Sequence, residues 1–364
     1  MSTADAAAAI SAREIAGLFA SFPSSGRVIL AVSGGADSTA LIVLAQRWRR
    51  RRARGPDLVA ATVDHGLRPG SQSEAKAVGA LARRLGLKHE ILNWRGAKPK
   101  TGIEATARSA RYRLLAELAR RLGAEAIATA HTLDDQAETV LMRLAAGSGP
   151  AGLAGMRPRD TRHGIVLLRP FLRLRKLRLV ATLRRAGITW VDDPMNADPA
   201  FARVRLRAAG TVLAREGLTA ERVGRLAARM ARYEEAVAAA VETARARVAD
   251  PHRPGRLDGR ALIAAPEEVA LRLLAAAIAG VGTPCAAEKP LRLQRLEALW
   301  QDLRAAVAAG RSMRRTLAQA LVSVDVSGSV LITAAPPRRS AKRKAEAVSR
   351  GRRNAAKHPF TKPR

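Results

Sequence analysis

Between residues 27 and 190, short apolar runs alternate with stretches patterned for helix, and no other feature of the chain restricts its fold as much. Residues 28–32 form an unbroken apolar run, as a strand buried on both faces requires. Residues 40–48 read as helix, 58–63 as a second strand, 74–85 as a second helix and 89–92 as a short strand. A long amphipathic helix over 103–122 follows, then strand 126–130, helix 133–145, strand 166–168 and helix 174–186. Such alternation builds a parallel sheet with helices on both faces. The expected fold class is α/β, a doubly wound parallel sheet, followed by a smaller helical domain and a basic tail.

The texture changes after Asp198. Ala, Arg, Glu and Leu recur at helical spacing, with Leu218, Val223, Leu226 and Met230 on one face and Thr219 placed to cap it. Further helices are expected over 267–278 and 291–308. Two alternating runs, 321–326 and 329–333, meet at Ser327-Gly328 and predict a terminal hairpin. Residues 338–364 are rich in Lys and Arg, with Glu346 the lone acid, and predict a disordered basic tail.

The charge is +33, from 64 Lys+Arg against 31 Asp+Glu. A compositional bias toward Ala and Arg would account for the arginines but not for the shortage of acids. The excess predicts a polyanionic partner, with nucleic acid favoured over a membrane surface. No apolar stretch is long enough to span a bilayer, and a cytoplasmic setting is expected. Cys285 is the chain's single cysteine, so it holds no internal disulfide, CxxC metal site or two-cysteine sulfur relay.

The first strand runs into Ser33-Gly34-Gly35-Ala36-Asp37-Ser38, which leads into a helix. Glycines let backbone N–H groups converge on a phosphate, and the helix start adds its dipole. Ser33 and Ser38 are expected to add hydroxyl donors. Asp37 is a carboxylate among phosphate-binding groups, which suits a Mg²⁺ that neutralises polyphosphate. The loop lacks the Lys of GxxxxGK[ST] and the spacing of GxGxxG.

This loop resembles the SGGxDS loop of the ATP pyrophosphatase, or PP-loop, superfamily. Several segments narrow the resemblance: Val63-Asp64-His65-Gly66-Leu67-Arg68, the Gly102 to Tyr112 stretch, His131-Thr132-Leu133-Asp134-Asp135-Gln136-Ala137-Glu138, Arg169-Pro170-Phe171-Leu172, and Trp190-Val191-Asp192-Asp193-Pro194. Their order is similar to that of the tRNA(Ile)-lysidine synthase family, strongly over residues 27–207. Two departures stand out: Met195 replaces a Ser of the family pattern, and Val204 replaces the Asn of its Arg-Asn-x-x-Arg run.

The resemblance implies ATP, Mg²⁺, free lysine and the isoleucine tRNA with a CAU anticodon as ligands. The wobble cytidine would be adenylated, and lysine would then displace AMP to form lysidine, with pyrophosphate released in the first step. Residues 33–38 would bind ATP, with Asp37 holding the metal. Asp37, Asp64, Arg108, Asp135 and Glu138 would serve catalysis. Arg111, His131, Asp134, Asp135, Glu138, Arg143, Arg203, Arg205 and Arg207 would contact lysine or tRNA. Asp134 and Glu138 are i, i+4, and Asp135 and Glu138 are i, i+3, so a helix presents them as neighbours. The same acids would also suit a helix N-terminus for structural reasons alone. The expected organisation is a helical lead-in over 1–24, a catalytic domain over 25–209, a mainly helical tRNA-binding domain over 210–336 and the tail over 337–364. The alternatives are an RNA thiolase using an external sulfur donor and a non-catalytic RNA-binding protein.

Overall fold

The computed structural model describes residues 8–66, 70–95, 103–191, 202–281 and 291–336, the side chains of residues 103–105 excepted. The basic tail, the second half of the Trp190–Pro194 motif with Met195, and Cys285 lie outside the described residues.

The lead-in contributes α1 (Ala12–Leu18), begun by a reciprocal cap in which Ser11 Oγ accepts the Glu14 N–H and the Glu14 carboxylate accepts the Ser11 N–H. The alternating region supplies β1 (Arg27–Ala31), α2 (Ala36–Arg50), β2 (Asp57–Asp64), α3 (Ser71–Arg84), β3 (Lys88–Asn93), α4 (Ile103–Leu122), β4 (Ala126–Ala128), α5 (Leu133–Ala145), a short α6 (Pro150–Leu153), β5 (Arg159–Arg162), β6 (Ile165–Leu168) and α7 (Lys176–Arg185). Two short helices, α8 (Ala202–Ala208) and α9 (Gly210–Arg215), follow.

The sheet order is β3-β2-β1-β4-β6-β5. Strands β3, β2, β1, β4 and β6 run parallel. The expectation of a parallel sheet needs one correction, because β5 pairs antiparallel with β6 at the edge. Its sequence, Arg-Asp-Thr-Arg, has no apolar run to announce it, and an edge strand needs none. The two-residue periodicity sorts β1 between two cores. Val28 and Leu30 join α1, α2, α3 and α7 on one face, while Ile29 joins Tyr112, Leu115 and Leu118 of α4 on the other. Helix α2 sits deepest, with Leu41, Ile42 and Leu44 at 0% exposure. Each such side chain contributes about 1.5–3 kcal/mol relative to an exposed one.

The first compact unit runs to Glu234, inside the long helix α10 (Ala220–Val248). Val223 and Ala227 of its first turns pack on Ala137 and Val140 of α5, which carries this unit past the boundary expected near residue 209. The second unit holds β7 (Arg256–Asp258), α11 (Gly259–Ala264), α12 (Glu267–Val281), α13 (Leu293–Ala308), β8 (Met313–Leu317), β9 (Ala320–Val324) and β10 (Ser329–Ala334). The predicted hairpin is β9–β10, and it belongs to a four-stranded antiparallel sheet ordered β7-β10-β9-β8. Strand β8 is charged and largely exposed, and β7 has three residues, so neither carries an apolar alternation. Trp300 anchors this core at 1% exposure and donates Nε1–H to Glu267. Among the described residues no helix is long and apolar enough to cross a membrane.

Candidate active site at the switch point of the sheet

The chain leaves β1 for β2 and β3 on one side, then returns to β4 and β6 on the other. The connections after β1 and β4 therefore diverge, and a crevice opens at their carboxyl ends. Residues 33–38 fill the first connection, and residues 129–135 the second.

In the first connection Gly34 has φ +94°, a conformation that side-chain-bearing residues rarely adopt. Ser38 Oγ accepts the N–H groups of Ser33 and Gly34, both at 3.1 Å, and donates to Gly35 O at 3.0 Å. Ser38 thus braces the loop, a role that the sequence reading, which expected a phosphate donor, did not include. Thr39 Oγ1 ties down Gly34 O, which also accepts Val191 N–H at 3.0 Å. The N–H groups of Ala36, Asp37 and Ser38 form a candidate anion cradle. They open α2, and its N-cap Gly35 offers no side chain to them.

Asp37 lies in the first turn of α2. Its Oδ2 accepts from Lys176 Nζ at 3.1 Å, while Oδ1 is buried with no partner among the described residues. Burial pushes its carboxyl above the usual range; Lys176 opposes the shift, and Asp135 and Asp134 add to it.

In the second connection Thr132 caps α5. Its N–H and Oγ1 donate to Asp135 Oδ2 at 2.8 and 2.9 Å, and the Asp135 N–H returns to Oγ1 at 3.3 Å. Asp134 turns to the α7 approach, accepting from Arg175 Nε at 3.0 Å and Lys176 N–H at 2.7 Å. Arg175 also reaches Glu221 at 2.5 Å. Glu138 faces inward, and the Arg207 guanidinium grips it through Nε at 2.5 Å and Nη2 at 3.1 Å. Arg207 also lies 3.7 Å from Asp135. Burial raises the Glu138 carboxyl, with Arg207 opposing. The structure thus gathers Asp37, Asp135 and Glu138 with Lys176 and Arg207 as their cations. The pairing of Lys176 with Asp37 spans 139 positions, and only the basic start of α7 hints at it in the sequence.

Residues 203, 205 and 207 correct another expectation. They were to form one alternating basic stripe, but they lie on helix α8, where i and i+4 share a face and i+2 does not. Arg207 meets Glu138, Arg203 lines a cavity beside α5, and Arg205 is exposed. Asp64 closes a turn by accepting Gly66 N–H at 2.8 Å. Arg111 donates to His65 Nε2 at 3.3 Å, and His65 stands edge-on to Trp94. Arg143 clamps the backbone at the end of α6 through Gly152 O and Gly155 O at 2.8 and 3.0 Å. Gly155 has φ +68°, and a Cβ there would lie 2.7 Å from the Gln136 amide that braces Met156. Arg108 and Arg162 both stack on the buried Tyr112 ring, at 5.4 and 4.9 Å.

His131 bonds Thr129 Oγ1 through Nδ1 at 2.9 Å. Burial, opposed by Asp135 and reinforced by Arg108, Arg169 and Arg203, pulls its imidazole down to about 3. It stays neutral at neutral pH and offers hydrogen bonds, not charge. The unfolded chain takes up this proton near 6.5 and the folded protein does not, so stability falls as pH drops below that value. The raised carboxyls of Asp37 and Glu138 act oppositely: their ionised forms cost stability above the ordinary carboxylate range, and acid relieves that cost. His131→Asn, which keeps a partner for Thr129, is expected to lose less Tm than the parent between about pH 7 and about pH 5. Parallel Tm–pH curves would assign the acid lability elsewhere.

The PP-loop domain family matches residues 7–212. The tRNA(Ile)-lysidine synthase of Methylobacterium sp. (strain 4-46) is 56% identical over 322 residues, 87% of this chain and 92% of that protein. The tRNA(Ile)-lysidine synthase of Bradyrhizobium sp. (strain BTAi1) is 50% identical over 347 residues, 91% of this chain and 96% of that protein. Among solved structures, the U34-tRNA thiolase NcsA from Methanococcus maripaludis, with its [4Fe-4S] cluster, superposes with a TM-score of 0.52 at 16% identity. It covers 60% of this chain and 77% of that one, and at such identity the likeness is one of fold alone. With relatives this similar along most of their length, the chain belongs to the tRNA(Ile)-lysidine synthase family of PP-loop proteins.

Proposed function

We propose that this chain joins free lysine to C2 of the wobble cytidine in the CAU-anticodon isoleucine tRNA, forming lysidine and consuming ATP to AMP and pyrophosphate, in the cytoplasm. The observation that carries the reading is the meeting of the phosphate cradle with three carboxylates at the switch point of the sheet. The reaction needs an ATP held by its phosphates, a base presented to the α-phosphate and an amine brought to the activated carbon.

The cradle at the start of α2 holds ATP phosphates, and Gly34 gives the backbone its approach. The cytidine C2 oxygen attacks the α-phosphorus and pyrophosphate leaves. The lysine ε-amine then attacks C2, and the C2–O bond breaks to release AMP. Among the described residues no three His, Cys, Asp or Glu side chains are grouped for a metal, whereas Asp37 Oδ1 is a buried oxygen without a partner. That donor fits a Mg²⁺ held by one carboxylate, nucleotide oxygens and water, and such an ion would neutralise polyphosphate charge. Lys176, which donates to the other oxygen of Asp37, would share the carboxylate with such an ion or give it up.

Asp135 and Glu138 form the ammonium site, and the Arg207 guanidinium marks the position a cation takes there. Lysine arrives as an ammonium and must lose a proton to attack. Glu138, whose carboxyl burial raises, is suited to take it. His131, neutral, orients a substrate by hydrogen bonding. Asp64, Arg111 and Arg205 would border the RNA.

Incubation with ATP, labelled lysine and the CAU-anticodon isoleucine tRNA is expected to leave alkali-stable label in the tRNA. Label released by mild base would indicate an ester at the acceptor end and would overturn the reaction. The sulfur-transfer alternative has no support from the chain's single cysteine.

A further inference from the structure

Beyond the carboxylates, on the side of α5 that carries Thr139, Met142 and Arg143, lies a cavity of about 490 Å³. Arg108, Arg143, Arg157, Arg162, Arg169 and Arg203 line it, brought together from α4, α5, the segment before β5, the last residue of β5, the segment after β6, and α8. Asp160 is the only acid among its described lining residues, and it already lies 3.4 Å from Arg169. Guanidinium groups cannot shed their charge to escape one another.

The cavity is built, not a loose patch of surface cations. The Arg169 side chain is 2% exposed. Its Nη1 donates to Arg157 O at 2.6 Å, and its buried Nε has no partner among the described residues. Arg143 is fixed by two backbone carbonyls. Arg108 and Arg162 share the Tyr112 ring. Burial lowers the proton affinity of Arg108 and Arg143, and in each case Arg162 adds to the effect, as expected of like charges in one pocket. A bound anion would relieve both costs.

We propose that this cavity is a phosphate pocket that grips the sugar–phosphate backbone of the RNA substrate beside the reacting nucleotide. This partner rests on the tRNA reading above. The ATP phosphates have their own cradle at α2, and the helical rise puts Arg143 about 12 Å along α5 from Asp135. A polyanion that continues past the reacting base reaches that far, as RNA does. The single carboxylate of lysine would leave most of the guanidiniums uncompensated. Contacts of this kind set affinity and register and do not read sequence.

The test uses the full-length protein and a CAU anticodon stem–loop RNA, with binding followed by fluorescence anisotropy from about 50 to about 200 mM salt. Arg157 and Arg162 are exposed at the cavity, so the double variant Arg157→Gln, Arg162→Gln should fold. The slope of log affinity against log salt is expected to flatten by about one per arginine removed. The flattening should be equal for the cognate loop and a scrambled one, with the KM for ATP and for lysine unchanged. Arg157→Lys, Arg162→Lys should restore most of the slope. An unchanged slope overturns the proposal. So does an unchanged slope with a raised KM for lysine, which would make this a carboxylate pocket, or with weakened inhibition by added pyrophosphate, which would make it a product pocket. Binding is read without turnover. Wild-type protein that shows the slope but forms no lysidine would sink the ligase reading and leave the pocket standing.

Discussion

Asp37→Asn is expected to cut tRNA-dependent pyrophosphate release by about 10²–10³-fold, the usual cost of deleting one preorganised charged group from a transition state. It should do so without unfolding the protein. Asp37 is held in the first turn of α2 with one buried oxygen unpartnered, and burial outweighs Lys176 in setting its carboxyl above the normal range. Its ionised form is therefore a cost to the free protein at neutral pH, and the amide removes that cost. The Tm of Asp37→Asn without nucleotide should equal or exceed the parental value. Added Mg²⁺–ATP should raise the parent's Tm more than the variant's. Full activity at limiting Mg²⁺ would remove Asp37 from the metal-binding role. A Tm several degrees below the parent's would make it a structural residue.

The second large effect is expected at Glu138. Glu138→Gln keeps the shape and removes the charge that Arg207 grips and that a lysine ammonium would need. Hydrogen bonds to charged groups contribute about 1.5–3 kcal/mol, so the KM for lysine should rise by about 10–150-fold. Adenylation of the tRNA, which precedes lysine attack, should continue, and adenylated tRNA should accumulate. Loss of both half-reactions together would instead mean that Glu138 shapes the whole pocket. An unchanged KM and turnover would exclude it from lysine binding.

Much of this site is legible in the sequence, and the remainder is hidden for identifiable reasons. The apolar run before Ser33 and the glycines after it specify strand, turn and helix locally, so the cradle could be read directly. Asp135 and Glu138 share a helix, and helical spacing alone makes them neighbours. The role of Ser38 was not legible, because whether a hydroxyl points outward or back into its own loop depends on backbone geometry. The arginine cavity was hidden more deeply. Arg108, Arg143 and Arg203 are singled out one by one, but the members come from separate elements, and nothing in the sequence joins them to one another or to Arg157 and Arg162. Strands β5 and β8 escaped because edge strands pair through their backbones and need little apolar surface.

The cations already seated on the acids have a consequence for how this enzyme meets its ligands. Lys176 sits on Asp37, and Arg207 on Glu138 and Asp135, before any substrate arrives. On the proposed lysine site, ligand entry at these carboxylates would be an exchange of counterions: a substrate ammonium would displace a guanidinium that is 41% exposed, with the local charge balance unchanged. The resting protein never holds three bare carboxylates in one crevice. Its affinity for lysine would then be a difference between two ion pairs, which leaves room for selectivity without very tight binding.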